Sequence, residues 1–204
     1  MIFINSDSMV NNSEIIGEYR GLVKNRVLTA LLQSYLDNLD YDGMKSILRE
    51  AELLELKDIR DVDPDGVIDF FSFKKIISAQ NCLLYDSTKL LYEIGRKFSF
   101  YLFPFGKDFG EIINEINEMI VADWQVKIVE RTTELVVIRV DKCIFCSEIG
   151  VSCDLFKGFI TQSLEKNLPS GFCVVPFGTI TENIRDPNHN SFILKLKIEK
   201  TFIS

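Results

Sequence analysis

Histidine occurs once in 204 residues, at position 189 between Asn188 and Asn190. A thiol nucleophile therefore has no histidine base beside it except one in a predicted turn. Long hydrophobic runs are missing too. The most apolar window, "FSFYLFPFG", is far shorter than the roughly 20 residues that cross a bilayer, and "MIFINSDSMV" lacks the basic region and apolar core of a secretory signal. Basic charge is in deficit: 23 Lys and Arg stand against 30 Asp and Glu, a net charge of -7. No run of Lys and Arg gathers on one predicted face, so nucleic acid is disfavoured as a partner. There is no phosphate loop, no Ser or Cys elbow and no carboxylate pair in an apolar setting, so nothing argues for an enzyme. Five cysteines, an odd number in a chain of this size, make a closed disulfide framework a poor reading. Reduced thiols and a cytoplasmic setting are expected.

What is present is a core. With 47% hydrophobic and 26% charged residues, the chain fits one globular domain over residues 19–204, preceded by a polar tail at 1–18. Val23, Val27, Leu28, Leu31, Leu32, Tyr35 and Leu39 recur at three and four, which predicts an amphipathic helix with a wide apolar stripe. "DGMKSILREAELL" repeats the pattern, with Asp42 as N-cap. "VIDFFSFKKIISAQ", "DSTKLLYEIGRKFSFYLF" (capped by Asp86 or Ser87) and "FGKDFGEIINEINEMI" give three more helices. The period then changes to two in "WQVKIVERTTELVVIRVDKC", with "ERTTE" as a hairpin turn. "SCDLFKGFITQSLEKNL" is helical again, and "GFCVVPFGTITEN" and "SFILKLKIEK" are two strands joined by "RDPNHN". The order predicts an α+β fold: N-terminal helices, then a four-stranded antiparallel sheet built as hairpin, helix, hairpin, with helices packed on one face.

Two stretches invite a functional reading. "DVDPDGVIDFFSF" nearly matches a calcium loop through Asp61, Asp63, Asp65 and Asp69. Ser72 stands where the bidentate acid belongs and Pro64 lies inside, so an acidic turn before a helix is the better reading. "CIFCSEIGVSC" puts Cys143, Cys146 and Cys153 within eleven residues. Cys143 and Cys146 have the spacing of a zinc knuckle, with Cys153 as a third thiolate and His189 or Cys173 as a fourth ligand. Buried apolar thiols and a regulated Cys143/Cys146 disulfide are the competing readings. An aromatic group, Phe98, Phe100, Tyr101, Phe103, Phe105 and Phe109, reads as core or as the lining of an apolar ligand channel.

The motifs "GMKSILREAEL", "LLYEIGRKFSFYLF" around Gly95, "CIFCSEIGVSCDLFKGFITQSLE" around Gly158 and "DPNHNSFILKL", taken in order, give the chain a family likeness. Over residues 20–200 it resembles the superfamily of 4-vinyl-reductase-type domains, Bet-three-like subunits of TRAPP tethering complexes and haem nitric-oxide-binding domains. The resemblance implies a non-enzymatic dimeric scaffold or assembly subunit joined through Leu28, Leu31, Leu32 and Tyr35. It also implies an apolar pocket for a lipid or small hydrophobic molecule, and a role in protein transport beside related subunits or a small GTPase, peripheral to membranes. The vinyl-reductase branch implies instead a hydrocarbon or zinc sensor using Cys143, Cys146, Cys153 and His189. The TRAPP branch implies acyl attachment at Cys82. The haem branch is the poorest match, because no histidine stands between Gly95 and the first hairpin.

Overall fold

A computed structural model describes residues 20–104, 107–146, 153–181 and 191–201. The expected tail at 1–18 and the turn "RDPNHN" lie outside the described residues. The order of elements is β1 (Leu22–Lys24), α1 (Asn25–Glu50), β2 (Val67–Asp69), α2 (Phe70–Leu83), α3 (Thr88–Leu102), α4 (Phe109–Met119), β3 (Ile120–Val121), β4 (Gln125–Arg131), β5 (Leu135–Asp141), α5 (Asp154–Glu165), β6 (Phe172–Thr181) and β7 (Phe192–Lys200). The expected α+β architecture is present. The four-stranded sheet runs β4-β5-β7-β6, all antiparallel. No helix among the described residues is long and apolar enough to cross a membrane.

Period-two alternation builds the sheet. Val126, Val136, Ile138, Val140, Leu194 and Leu196 are buried on one face and meet across the strands as Val126–Val140, Ile138–Leu194 and Val136–Leu196, while Lys127, Lys195 and Lys197 do not reach the core. At the edge, β6 carries Pro176 beside a bulge between Pro176 and Gly178, where a missing N–H costs nothing. Its Val174 N–H donates to Glu165 on α5 (3.2 Å), and Glu165 also pairs with Arg96 on α3 (2.8 Å).

Helix ends follow their caps. Asp108 opens α4 with a full capping box shared with Glu111, and Asp69 caps α2 by accepting from Ser72 N–H (2.9 Å). The second helix expected from "DGMKSILREAELL" is continuous with the first, broken only at Asp40 (φ 61, ψ -174). Asp40, not Asp42, caps the restart: its carboxylate accepts from Asp42 N–H (2.9 Å) and Gly43 N–H (3.0 Å). A second sheet, ordered β2-β1-β3, goes beyond the sequence expectation. Its strands are two or three residues long, too short to show a period.

Among the described glycines, the closest approach joins α3 to α5. A Cβ placed on Gly95 would lie 1.8 Å from the Leu155 carbonyl oxygen, and one on Gly158 would lie 2.0 Å from that of Tyr92. Each helix thus presses its glycine onto the other's backbone. Ser99 and Ser163, one turn on, share a buried 2.8 Å hydrogen bond.

Candidate thiol centre

Cys143 follows β5 and Cys146 closes the short loop after it, while Cys153 occupies the N-cap position of α5. The loop is core rather than surface, since Cys143, Ile144, Phe145 and Cys146 are each no more than 4% exposed. Phe145 is what buries it. Its ring stacks on Phe156 of α5 (5.3 Å, 9°) and meets Phe73 of α2 (6.3 Å), Phe98 of α3 (5.9 Å) and Trp124 (5.9 Å). One side chain therefore fastens the stretch to three helices. The aromatic network continues through Phe156–Phe159 (5.7 Å) and Phe98–Phe159 (5.0 Å).

This anchoring brings the thiols together. The sulfur atoms of Cys143, Cys146 and Cys153 lie within 4.8 Å of one another, and Cys143 Sγ is 3.2 Å from Cys153 Sγ. Burial opposes ionisation of Cys143, but hydrogen bonds from the Cys146 and Cys153 thiols and from the Phe145 and Cys146 N–H groups outweigh it and hold its thiol well below the ordinary range. Cys146 is pushed up, first by its bond to Cys143, and Cys153 is pushed up by burial and by both neighbours. Of the three thiols, Cys143 is the one its neighbours make easiest to ionise. Lys142, just before Cys143, is held at φ 51, with its ammonium on Asp123.

The structure places the residues that the sequence singles out. Among the described residues the sulfur trio gathers no fourth ligand. Cys173 sits half-buried on β6 opposite Glu199, and His189 lies outside the described residues. Closed structural zinc needs four donors. The sulfur of Cys153 sits against that of Cys143, so Cys153 is a member of the centre and not only a packing residue. Cys82 is exposed near the end of α2. Leu28, Leu31, Leu32 and Tyr35 are 0–1% exposed and lie in the chain's own core. Phe98, Phe103 and Phe109 are buried in the same core, Phe100 is exposed, and Phe105 lies outside the described residues. The acidic stretch gathers no cation cluster among the described residues: Asp63 accepts from Asp65 N–H (3.1 Å) and Asp69 caps α2. A cleft of ≈280 Å³ beside Asn25 and Asp63, and a groove of ≈450 Å³ along Leu135, Val175 and Phe177, have no cysteine in their walls.

No protein-family model matches the chain, and no curated protein matches it. Solved structures do. A doubly substituted Tt H-NOX protein has a TM-score of 0.55 at 16% identity over 89% of this chain and 98% of its own. An oxygen-binding H-NOX domain related to soluble guanylate cyclases, in its oxygen complex, has 0.54 at 14% identity over 89% and 98%. An unliganded Fe(II) H-NOX protein from K. algicida, a point mutant, has 0.54 at 14% over 87% and 97%. These neighbours overturn the likeness to vinyl-reductase-type domains and TRAPP subunits, and with it the scaffold and transport role, the hydrocarbon or acyl ligand, and the zinc cofactor. At such identities the likeness is one of architecture, and this chain has the fold of H-NOX domains.

Proposed function

We propose that this chain is a non-enzymatic sensing domain built on the H-NOX fold, in which a trio of buried thiols, and not a haem, reads the signal. Haem is the first group to test, since the neighbours include Fe(II) and oxygen-bound proteins. An iron porphyrin needs a strong axial donor facing a flat, open slot. The described residues include no histidine, and Cys143, whose thiolate could serve as the donor, is 2% exposed in the packed core. Between α2, α3 and α5 the rings of Phe73, Phe98, Phe145, Phe156 and Phe159 touch at centroid distances of 5.0–6.3 Å, which leaves no room for a macrocycle among them. The described residues do not fit a haem.

The 3.2 Å separation of Cys143 and Cys153 carries the alternative reading. A disulfide has S–S near 2.05 Å, so an approach of about 1.2 Å closes it. The oxidant that suits this site is small, because all three thiols are buried. A hydroperoxide meets that demand. The Cys143 thiolate attacks its terminal oxygen, the O–O bond breaks, and the leaving alkoxide or hydroxide departs as an alcohol or water by taking the proton of the Cys153 thiol. The sulfenic acid left on Cys143 is attacked by the resulting Cys153 thiolate, the S–S bond forms, and hydroxide leaves to be protonated by solvent. Two thiols are oxidised by two electrons, and one peroxide is reduced. Cys146 keeps its thiol and donates to whichever sulfur carries charge. Thiol counting in the denatured state tests this. Brief treatment of the folded protein with a hydroperoxide should lower the five free thiols by two. Cys153→Ser should prevent that loss and Cys82→Ser should leave it intact. Survival of all five thiols in folded, treated protein would contradict the reading.

A further inference from the structure

The backbone carbonyls of the loop that carries Cys143 and Cys146 are held by a single helix. Lys74 Nζ donates to the carbonyls of Ile144 and Cys146, both at 3.1 Å. Asn81 Nδ2 donates to the carbonyl of Phe145 at 3.3 Å. Lys74 and Asn81 stand seven residues apart on α2, on one face, so three consecutive carbonyls of the thiol loop end on α2. Behind Asn81 a hydrogen-bonded chain leads away from the thiols. Gln80 Nε2 donates to Asn81 Oδ1 (3.0 Å), and Tyr35 on α1 donates its hydroxyl to Gln80 Oε1 (2.7 Å). Tyr35, Gln80 and Asn81 are all buried. Burial pushes the Tyr35 hydroxyl well up, so it stays protonated as a donor. Each of these side chains therefore relies on its neighbour in the chain, since buried polar groups without a partner are costly.

We propose that this grip is a redox relay, with Lys74 and Asn81 as positioning residues that hold the thiol loop in its reduced geometry and pass its oxidation to α2 and, through Gln80 and Tyr35, to α1. The proposal rests on the thiol reading above. Closing the disulfide draws Cys143 toward the start of α5, while Lys74 and Asn81 hold the next three carbonyls on α2. Drawing Cys143 across that gap pulls against bonds that start one to three residues away. Oxidation thus loosens α2. By linkage, loosening α2 must favour oxidation by the same factor.

The test uses the full chain in buffers of reduced and oxidised dithiothreitol, with the disulfide fraction read by mass. Lys74→Met keeps the stem and removes the ammonium, and Tyr35→Phe removes one distant hydroxyl. Lys74→Met should shift the thiol–disulfide equilibrium about tenfold toward disulfide, equivalent to about 30 mV for two electrons. Tyr35→Phe should shift it the same way by a smaller factor. Lys75→Met, which removes the neighbouring pair with Glu52, should leave it unmoved. In the parent chain, oxidation should speed amide hydrogen exchange in α1 and α2 more than in β4 and β5. A merely structural role for Lys74 would weaken both redox forms alike and leave the equilibrium in place. Normal oxidation with unmoved variants and unchanged exchange would overturn the relay and leave the thiol reading standing. Failure of the parent chain to form the Cys143–Cys153 bond would overturn both.

Discussion

Adding a single methyl group at Gly95 should break the close contact between α3 and α5. In an exposed helix, Gly→Ala gains about 1 kcal/mol. Here the new Cβ would stand 1.8 Å from the Leu155 carbonyl oxygen, where ordinary contact needs about 3.3 Å, so α3 and α5 must part by about 1.5 Å. That separation takes the Ser99–Ser163 hydrogen bond well beyond its 2.8 Å and leaves two hydroxyls buried, at a cost of about 1–3 kcal/mol. It also thins the packing of Phe98 on Phe159, and overpacking of this kind costs about 1–3 kcal/mol. Less the propensity gain, Gly95→Ala should lose about 3 kcal/mol, or about 6–12 °C in melting temperature for a chain of this length. Gly158→Ala should behave alike, since its Cβ would meet the Tyr92 carbonyl at 2.0 Å. Gly178→Ala is the control: its Cβ meets nothing nearer than a Lys195 carbon at 3.8 Å. Thermal unfolding followed by circular dichroism reads all three. A Gly95→Ala protein that melts at or above the parent temperature would refute the helix-crossing argument.

Asp108→Asn should cost less than about 1 kcal/mol in urea unfolding at neutral pH, because asparagine still caps α4 but loses the carboxylate's pair with Arg131 and its charge at the helix N-terminus. The Arg131 guanidinium and the Gly110 N–H hold the Asp108 carboxyl below its ordinary value, so its contribution is present above about pH 3.9 and is lost as acid takes the pH through the lower folded value. The gap between parent and variant should therefore close in acid, and a gap that widens would contradict the assignment. Tyr35→Phe leaves Gln80 Oε1 buried without its donor and should lower the urea midpoint by the equivalent of about 1–3 kcal/mol with an unchanged slope. Titration with hemin should give no saturable one-to-one Soret band, and such a band would contradict the exclusion of haem.

The helices and the main sheet are legible in the sequence because their periods run over seven or more residues, as in α3 through Leu91, Ile94 and Phe98 or in β7 through Phe192, Leu194 and Leu196. The small sheet is not, because Leu22–Asp69 and Leu22–Val121 are pairings across long chain separations with almost no local pattern. The wide stripe on α1 reads as apolar, but its width alone cannot tell which surface covers it. Here the same chain does, where the family likeness implied a partner. For the thiols, spacing shows that Cys143 and Cys146 are neighbours, but Cys153 joins them only because Phe145 turns the loop into the core against Phe156. The grip of Lys74 and Asn81 is invisible in the sequence for the same reason. It links residues 70 and 64 positions apart, and no local pattern marks either residue. The weak motifs of the family likeness point to the right architecture, and the solved structures overturn the vinyl-reductase and TRAPP reading drawn from them.

Native mass spectrometry of the full chain, produced with haem supplied and measured before and after exposure to a hydroperoxide, tests the central claim most directly. The account predicts a polypeptide free of haem that loses the mass of two hydrogens on oxidation, with Cys143 and Cys153 joined in the peptide map. A mass raised by one haem, or an oxidised chain whose Cys143 and Cys153 remain free, would contradict it.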